Sequence, residues 1–252
     1  DTAAVDRALA GVEGVIHLAA IVGDPACAKQ PDLARAINGD ASLALVERCH
    51  AAPHVRRFVF ASTCSNYGRA NPGEFVDETS PLNPISLYAQ LKVQVEEYLL
   101  GANHRDDFAA TALRFATVYG LSPRPRFDLT VNEFVREAAL GRTLRIYGEQ
   151  FWRPYCHVED LARACVLVLQ SDPARVRGRV FGVGDTSENY QKKMLAEELL
   201  AVVPSARIEY VSRDEDPRDY RVDFTRIRDG LGFLISRRVP DGIREIHAAL
   251  AA

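Results

Sequence analysis

The strongest constraint on this chain is an alternation between short apolar runs and stretches of helical periodicity. The runs are Gly14-Val15-Ile16-His17-Leu18-Ala19-Ala20, Arg56-Arg57-Phe58-Val59-Phe60-Ala61, Thr111-Ala112-Leu113-Arg114-Phe115-Ala116 and Val180-Phe181-Gly182-Val183-Gly184. Residues 32–51, 86–100 and 158–170 read as helices, with apolar positions three and four apart in the first and an apolar face on the last. Strands alternating with helices build a parallel sheet covered by helices. Ligands on such sheets collect outside the carboxyl ends of the strands. Ala19-Ala20, Ser62-Thr63 and residues 115–118 fall there.

One segment at those ends carries chemistry. In Tyr88-Ala89-Gln90-Leu91-Lys92, residues four apart on a helix share a face, so a phenol and an ammonium reach one small volume. A cation beside a phenol favours the phenolate, and a phenol so tuned exchanges protons with an alcohol near neutral pH. The preceding run, Ala61-Ser62-Thr63-Cys64-Ser65-Asn66-Tyr67-Gly68, puts hydroxyls at the end of a buried strand, and Pro81 and Pro84 close the loop into the helix.

The order of strand, hydroxyls, loop and Tyr-x-x-x-Lys helix resembles the extended short-chain dehydrogenase/reductase family, in its nucleotide-sugar epimerase and dehydratase branch. The resemblance implies a Rossmann-like, doubly wound α/β sheet with a small C-terminal substrate lobe, and NAD as cofactor. NADP is equally open, because the resemblance implies that the residue reading the ribose 2′ position falls outside the chain. The implied division is 1–121 for the cofactor domain and 122–252 for the nucleotide-sugar lobe, with 153–185 returning to the first.

Residue by residue, the resemblance implies Thr63, Tyr88 and Lys92 as the catalytic set. Cofactor contacts fall to Ala19, Ala20, Asn38, Ala61, Ser62, Phe115 and Val118, beside Tyr88 and Lys92. Asn38, in Asn38-Gly39-Asp40-Ala41-Ser42, is expected to brace the backbone of the active-site strand. Substrate contacts fall to Thr117, Arg126, Asn132, Arg153, Arg213, Asp216 and Arg218. Arg153 opens Arg153-Pro154-Tyr155-Cys156-His157-Val158-Glu159-Asp160, and a guanidinium there suits a diphosphate. Family dehydratases carry an Asp-Glu pair where this chain has Cys64-Ser65, which turns the reading away from dehydration. No metal is implied.

The first residue is Asp1, already within a helix expected to run to Ala10, and Gly14–Ala20 matches the fourth strand of the family sheet. The three earlier strands and the glycine-rich turn are expected to lie outside the chain. Gly11-x-x-Gly14 precedes a strand, and Gly182-Val183-Gly184 lacks a third glycine, so neither replaces that turn. The fragment alone is expected to bind dinucleotide poorly and to be inactive.

Composition excludes other classes. A net charge of −3 leaves no basic excess for nucleic acid. No apolar run approaches the ~20 residues of a membrane span. Five scattered cysteines without C-x-x-C spacing fit a reducing cytoplasm.

The expected activity is NAD-dependent epimerisation of a nucleotide-diphosphate hexose at C4, through a 4-keto intermediate. Three alternatives stay open: a nucleotide-sugar 4-ketoreductase, a 4,6-dehydratase with Cys64 as substitute acid, and a non-catalytic NAD-binding sensor. The resemblance also implies a homodimer packed through helices 32–51 and 86–100. Further helices are expected at 132–140, 190–203 and 240–252.

Overall fold

A computed structural model describes residues 1–71, 73–101, 104–211 and 218–251. Arg213 and Asp216 lie outside the described residues. The chain is α/β and divides into two compact units. The first comprises Asp1–Tyr67, Pro81–Arg114 and Cys165–Phe181; the second comprises Gly68–Ser80, Phe115–Ala164 and Gly182–Ala252.

The chain begins with α1 (Thr2–Leu9), β1 (Gly14–His17), α2 (Asp24–Lys29) and α3 (Pro31–Ala34). A π-helical turn (Arg35–Asp40) leads into α4 (Ala41–Ala51), β2 (Arg57–Thr63) and a 3-10 turn (Cys64–Tyr67). Next come β3 (Phe75–Val76), α5 (Leu87–Gly101), β4 (Ala109–Phe115), β5 (Thr117–Tyr119) and α6 (Thr130–Ala139). Then follow β6 (Thr143–Tyr147), β7 (Trp152–His157), α7 (Val158–Gln170), α8 (Pro173–Val176), β8 (Arg179–Val183) and β9 (Asn189–Gln191). The chain closes with α9 (Lys192–Val202), β10 (Arg207–Val211), β11 (Arg221–Val222), α10 (Thr225–Leu231) and α11 (Val239–Ala251).

The first unit is organised on a sheet of order β1-β2-β4-β8, with β1 parallel to β2 from Gly14↔Arg57 to His17↔Phe60. From Phe58 to Thr63 every residue of β2 is buried, the mark of a strand covered on both faces. Phe58 and Phe60 pack with Val46 and Cys49 of α4, Val95 and Leu99 of α5, and Phe108, Ala110 and Ala112. Burying each phenyl contributes roughly 1.5–3 kcal/mol.

The second unit holds three small sheets. In one, β5 runs parallel to β7 while β9 pairs antiparallel with Trp152, Arg153 and Pro154. The others are the parallel pairs β6 with β10 and β3 with β11. Its core joins Val131, Phe134 and Val135 of α6 to Leu195 and Leu199 of α9 and Ile243 and Ile246 of α11.

Several expected boundaries move. The helix expected over 32–51 is interrupted by the π turn, which carries buried Asn38 and Gly39. An extra residue per turn there lets the Asn38 side chain face Ile21. Gly39 belongs at this point because a Cβ would lie 3.3 Å from Leu91 Cδ2. The run 14–20 is strand only to His17. Tyr190 is in β9 rather than in a helix, because ladder pairing with β7 overrides its local pattern. The segments 117–119 and 153–164 group with the second unit, and only Cys165–Phe181 of the expected return belongs to the first. Residues 68–80 also belong to the second unit, which no linker signal had marked.

Candidate active site

β2 ends at Thr63, and α5, which carries Tyr88 and Lys92, brings Lys92 to that strand. Lys92 is 3% exposed, and its Nζ donates to the Ala61 carbonyl oxygen at 2.7 Å. The same Nζ stands 4.7 Å from the Phe60 ring centroid and 5.8 Å from that of Tyr88. Burial lowers the Lys92 pKa to about 8, since the charged form loses water. Tyr88 is half-buried and packs against the Cys27, Ala34 and Leu91 cluster. Thr63 is buried, with its Oγ1 accepting the Ser65 N–H at 3.1 Å.

Two other parts of the first unit frame this strand end. His17 closes β1, stacks on Phe60 and shares a 2.9 Å hydrogen bond with Ser42. Burial, with Lys92 nearby, pushes its pKa down to about 4, so His17 is neutral at pH 7. Beyond it, Ala19 is exposed and Ala20 half-buried. Asn38 accepts the Ile21 N–H at 2.8 Å and donates to the Ile21 carbonyl at 2.9 Å. Asn38 therefore holds the segment leaving β1, with its amide committed to that backbone.

Ser62 differs from the expectation of cofactor contact through its side chain. It is 2% exposed, and its hydroxyl donates to Glu96 Oε2 at 2.6 Å. Glu96 in turn pairs with Arg114, whose Nε and Nη2 lie 3.0 and 2.5 Å from Oε1. Both are buried, so removing one partner would leave the other charge uncompensated, at a cost of about 3–5 kcal/mol. Sequence reasoning passed over this pair, although two signals point to it. Glu96 is the next step of four along the Tyr88 and Lys92 face, and Arg114 sits in an apolar strand where a charge needs a partner.

Cys64 is buried, and its thiol donates to the Arg114 carbonyl at 3.3 Å. Phe115, the last residue of β4, is half-buried.

The expected substrate residues lie in the second unit. Thr117 and Val118 are half-buried on β5, paired with Tyr155 and Cys156. Asn132 is buried and closes its amide on Gly120, accepting the N–H at 3.0 Å and donating to the carbonyl at 3.1 Å. It sets that turn rather than reaching outward. Arg126 makes a two-point pair with Asp128, at 2.7 Å for each bond. Arg153 is buried; it donates to the Trp152 carbonyl at 2.6 Å and lies 5.1 Å from the Tyr220 ring centroid. The Asp219 carboxylate accepts the Trp152 N–H at 2.9 Å, so the segment of Arg218 runs beside that of Arg153. His157 accepts the Glu159 N–H through Nδ1 at 3.3 Å, which caps α7.

Among the described residues, no helix is long and apolar enough to cross a membrane. All five cysteines are buried thiols.

Known proteins resemble this chain in sequence and in fold. The chain is 31% identical over 187 residues to UDP-glucuronate 4-epimerase 6 of Arabidopsis thaliana, covering 69% of this chain and 40% of that protein. It is 30% identical over 234 residues to UDP-glucose 4-epimerase of Mycolicibacterium smegmatis, covering 92% of this chain and 74% of the relative. For the first of these the chain spans less than half of the relative's length. Among solved structures, MoeE5 in complex with UDP-glucuronic acid and NAD superposes with a TM-score of 0.84 at 28% identity, covering 96% of this chain and 80% of the other. UDP-glucose 4-epimerase from Thermotoga maritima with UDP-glucose gives 0.86 at 25% identity, covering 98% and 81%. Residues 1–184, most of the chain, match a single family throughout. With its Tyr88 and Lys92 helix set against a buried strand, the chain belongs to the NAD dependent epimerase/dehydratase family.

Proposed function

We propose that the protein is an NAD-dependent epimerase of a nucleotide-linked hexose, acting at C4. The observation that carries the reading is the seating of α5 on β2, where Lys92 bonds Ala61 two residues before Thr63 and shares a helix face with Tyr88. The relatives named UDP-glucuronate 4-epimerase and UDP-glucose 4-epimerase support a UDP-hexose or UDP-hexuronate as substrate.

The strand-end residues fit the nicotinamide half of a dinucleotide. Ala19 and Ala20 leave room by their small size, and Lys92 spends one of its three N–H donors on Ala61. Lys92 and Tyr88 would hold the ribose hydroxyls there. When bound, NAD supplies a reversible hydride acceptor for C4 of the sugar.

Tyr88, as phenolate, takes the proton of the C4 hydroxyl and later returns it. Lys92 stabilises the phenolate by its charge, and Thr63 donates a hydrogen bond to the same sugar oxygen as negative charge develops. Between the two transfers the 4-keto sugar presents its other face, so no further acid is needed. Arg153, with Arg218 on the adjoining segment, is assigned to the diphosphate, Thr117 to the substrate, and Phe115 and Val118 to the cofactor. A homodimer through helices 32–51 and 86–100 belongs to the same proposal, supported by exposed Leu33 and Tyr98. So does a cytoplasmic location, supported by five thiols without disulfides.

Dehydration with Cys64 as acid is disfavoured by its burial and its bond to Arg114. The test is to supply the protein, in its complete reading frame, with UDP-glucose and UDP-glucuronate and to follow the sugars by proton NMR. The 4-epimer is expected, with no net change in reduced cofactor. NAD(P)H consumption with a 4-keto sugar would select the ketoreductase, and a 4-keto-6-deoxy product the dehydratase. Bound NAD without turnover would leave the sensor.

A further inference from the structure

The Thr63 hydroxyl accepts the Ser65 N–H at 3.1 Å, and the residues around it are tied down in three directions. Ala61 gives its carbonyl to Lys92 at 2.7 Å. Ser62 gives its hydroxyl to Glu96 at 2.6 Å. Cys64 gives its thiol proton to the Arg114 carbonyl at 3.3 Å.

The Ser62 and Cys64 anchors lead to two residues that are themselves joined, Glu96 and Arg114. Glu96 and Arg114 form a buried ion pair, and Arg114 Nη1 donates to the Tyr67 hydroxyl at 3.1 Å. Asn66 Nδ2 donates to Ser62 Oγ at 3.0 Å and lies 3.4 Å from Glu96 Oε2. The pair therefore holds Ser62 before Thr63 and Asn66 and Tyr67 after it, while the Arg114 backbone carbonyl holds Cys64. Glu96 lies on the same helix as Tyr88 and Lys92. A rotation of α5 that displaced the phenol would also pull the strand end.

We propose that Glu96, paired with Arg114, is the positioning group that sets the Thr63 hydroxyl relative to Tyr88. It acts through Ser62 on the strand and through the Cys64–Tyr67 turn, without touching substrate. A charge-assisted bond suits this task, being short and direction-dependent. The proposal rests on the epimerase reading for its kinetic test and on the bonding pattern alone for its second test.

In the complete protein, Glu96→Gln is expected to lower kcat by about 10- to 100-fold with KM changed less than about threefold, because Thr63 acts where charge develops. In a Thr63→Ala background the same change is expected to cost less than about threefold, since residues acting as a unit are non-additive. A full, additive loss in both backgrounds would overturn the proposal, as would an unchanged kcat. Where Glu96→Gln fails to fold, Ser62→Ala keeps the ion pair and cuts its link to the strand, together with the Asn66 bond to Ser62 Oγ, with the same kinetic pattern expected. Independently of turnover, Ser62→Ala is expected to speed amide hydrogen exchange of residues 61–67 by at least tenfold while exchange in β4 is unchanged. Exchange unchanged at 61–67 would sink the clamp whatever the enzyme does. Loss of the wild-type activity with a positive exchange result would sink only the epimerase reading.

Discussion

The Lys92 ammonium and the Ala61 carbonyl meet at 2.7 Å with Lys92 buried, so a helix carries a charge into the protein to bond the backbone of a strand. The charge is held there at an electrostatic cost, which lowers its pKa from 10.5 to about 8. Between those values the unfolded chain keeps a proton that the folded chain releases. Stability therefore gains with rising pH across that window and lacks this gain below pH 8. Lys92→Met is expected to remove the increment, on the order of 3 kcal/mol across the full window. Urea titrations of both proteins at pH 7.5 and 10 measure it; parallel pH profiles would refute the assignment.

Tyr88→Phe keeps the ring against Leu91 and Cys27 but removes the proton carrier. The expected loss in kcat is about 10²- to 10⁴-fold, with cofactor binding weakened far less, since Lys92 keeps its ribose contact. A variant with more than a tenth of the wild-type rate would take Tyr88 out of the reaction.

Asn38 holds both the N–H and the carbonyl of Ile21, seventeen residues away, from inside a π turn. Asn38→Ala is expected to destabilise by roughly 2–4 kcal/mol through the lost bonds and the void. That corresponds to a fall in melting temperature of about 5–15 °C for a protein near this size. Asn38→Asp, which keeps the acceptor for the Ile21 N–H, should fall between. Calorimetry showing no change in either variant would contradict the bracing role.

Gly120 has φ +113, and a Cβ there would overlap the His157 ring. His157 has little freedom to move, because its Nε2 shares a 2.8 Å hydrogen bond with Glu245. Gly120→Ala is expected to cost at least about 2 kcal/mol from overpacking and backbone strain together. Circular dichroism melts of Gly120→Ala and of the exposed control Gly101→Ala separate this effect from a general loss of glycine.

The residues by themselves determined which segments form the sheet and marked where its strands end. Apolar runs such as Phe58-Val59-Phe60 have few outcomes other than a buried strand, and the four-residue step from Tyr88 to Lys92 puts both on one side of a helix whatever surrounds it. Local pattern also marked the strand ends, because Ser62 and Thr63 interrupt an apolar run. The assignments that depend on partners distant in the chain stayed hidden. Ser62 reads as a ligand contact until Glu96 is seen to take its hydroxyl, and Asn132 reads likewise until Gly120 closes on its amide. Tyr190 joins a ladder because Arg153 lies beside it, and Arg35–Asp40 loosens into a π turn because Asn38 meets Ile21. A hydrogen bond between residues far apart in the chain leaves no periodic trace, so tertiary structure alone decided which polar side chains hold the frame.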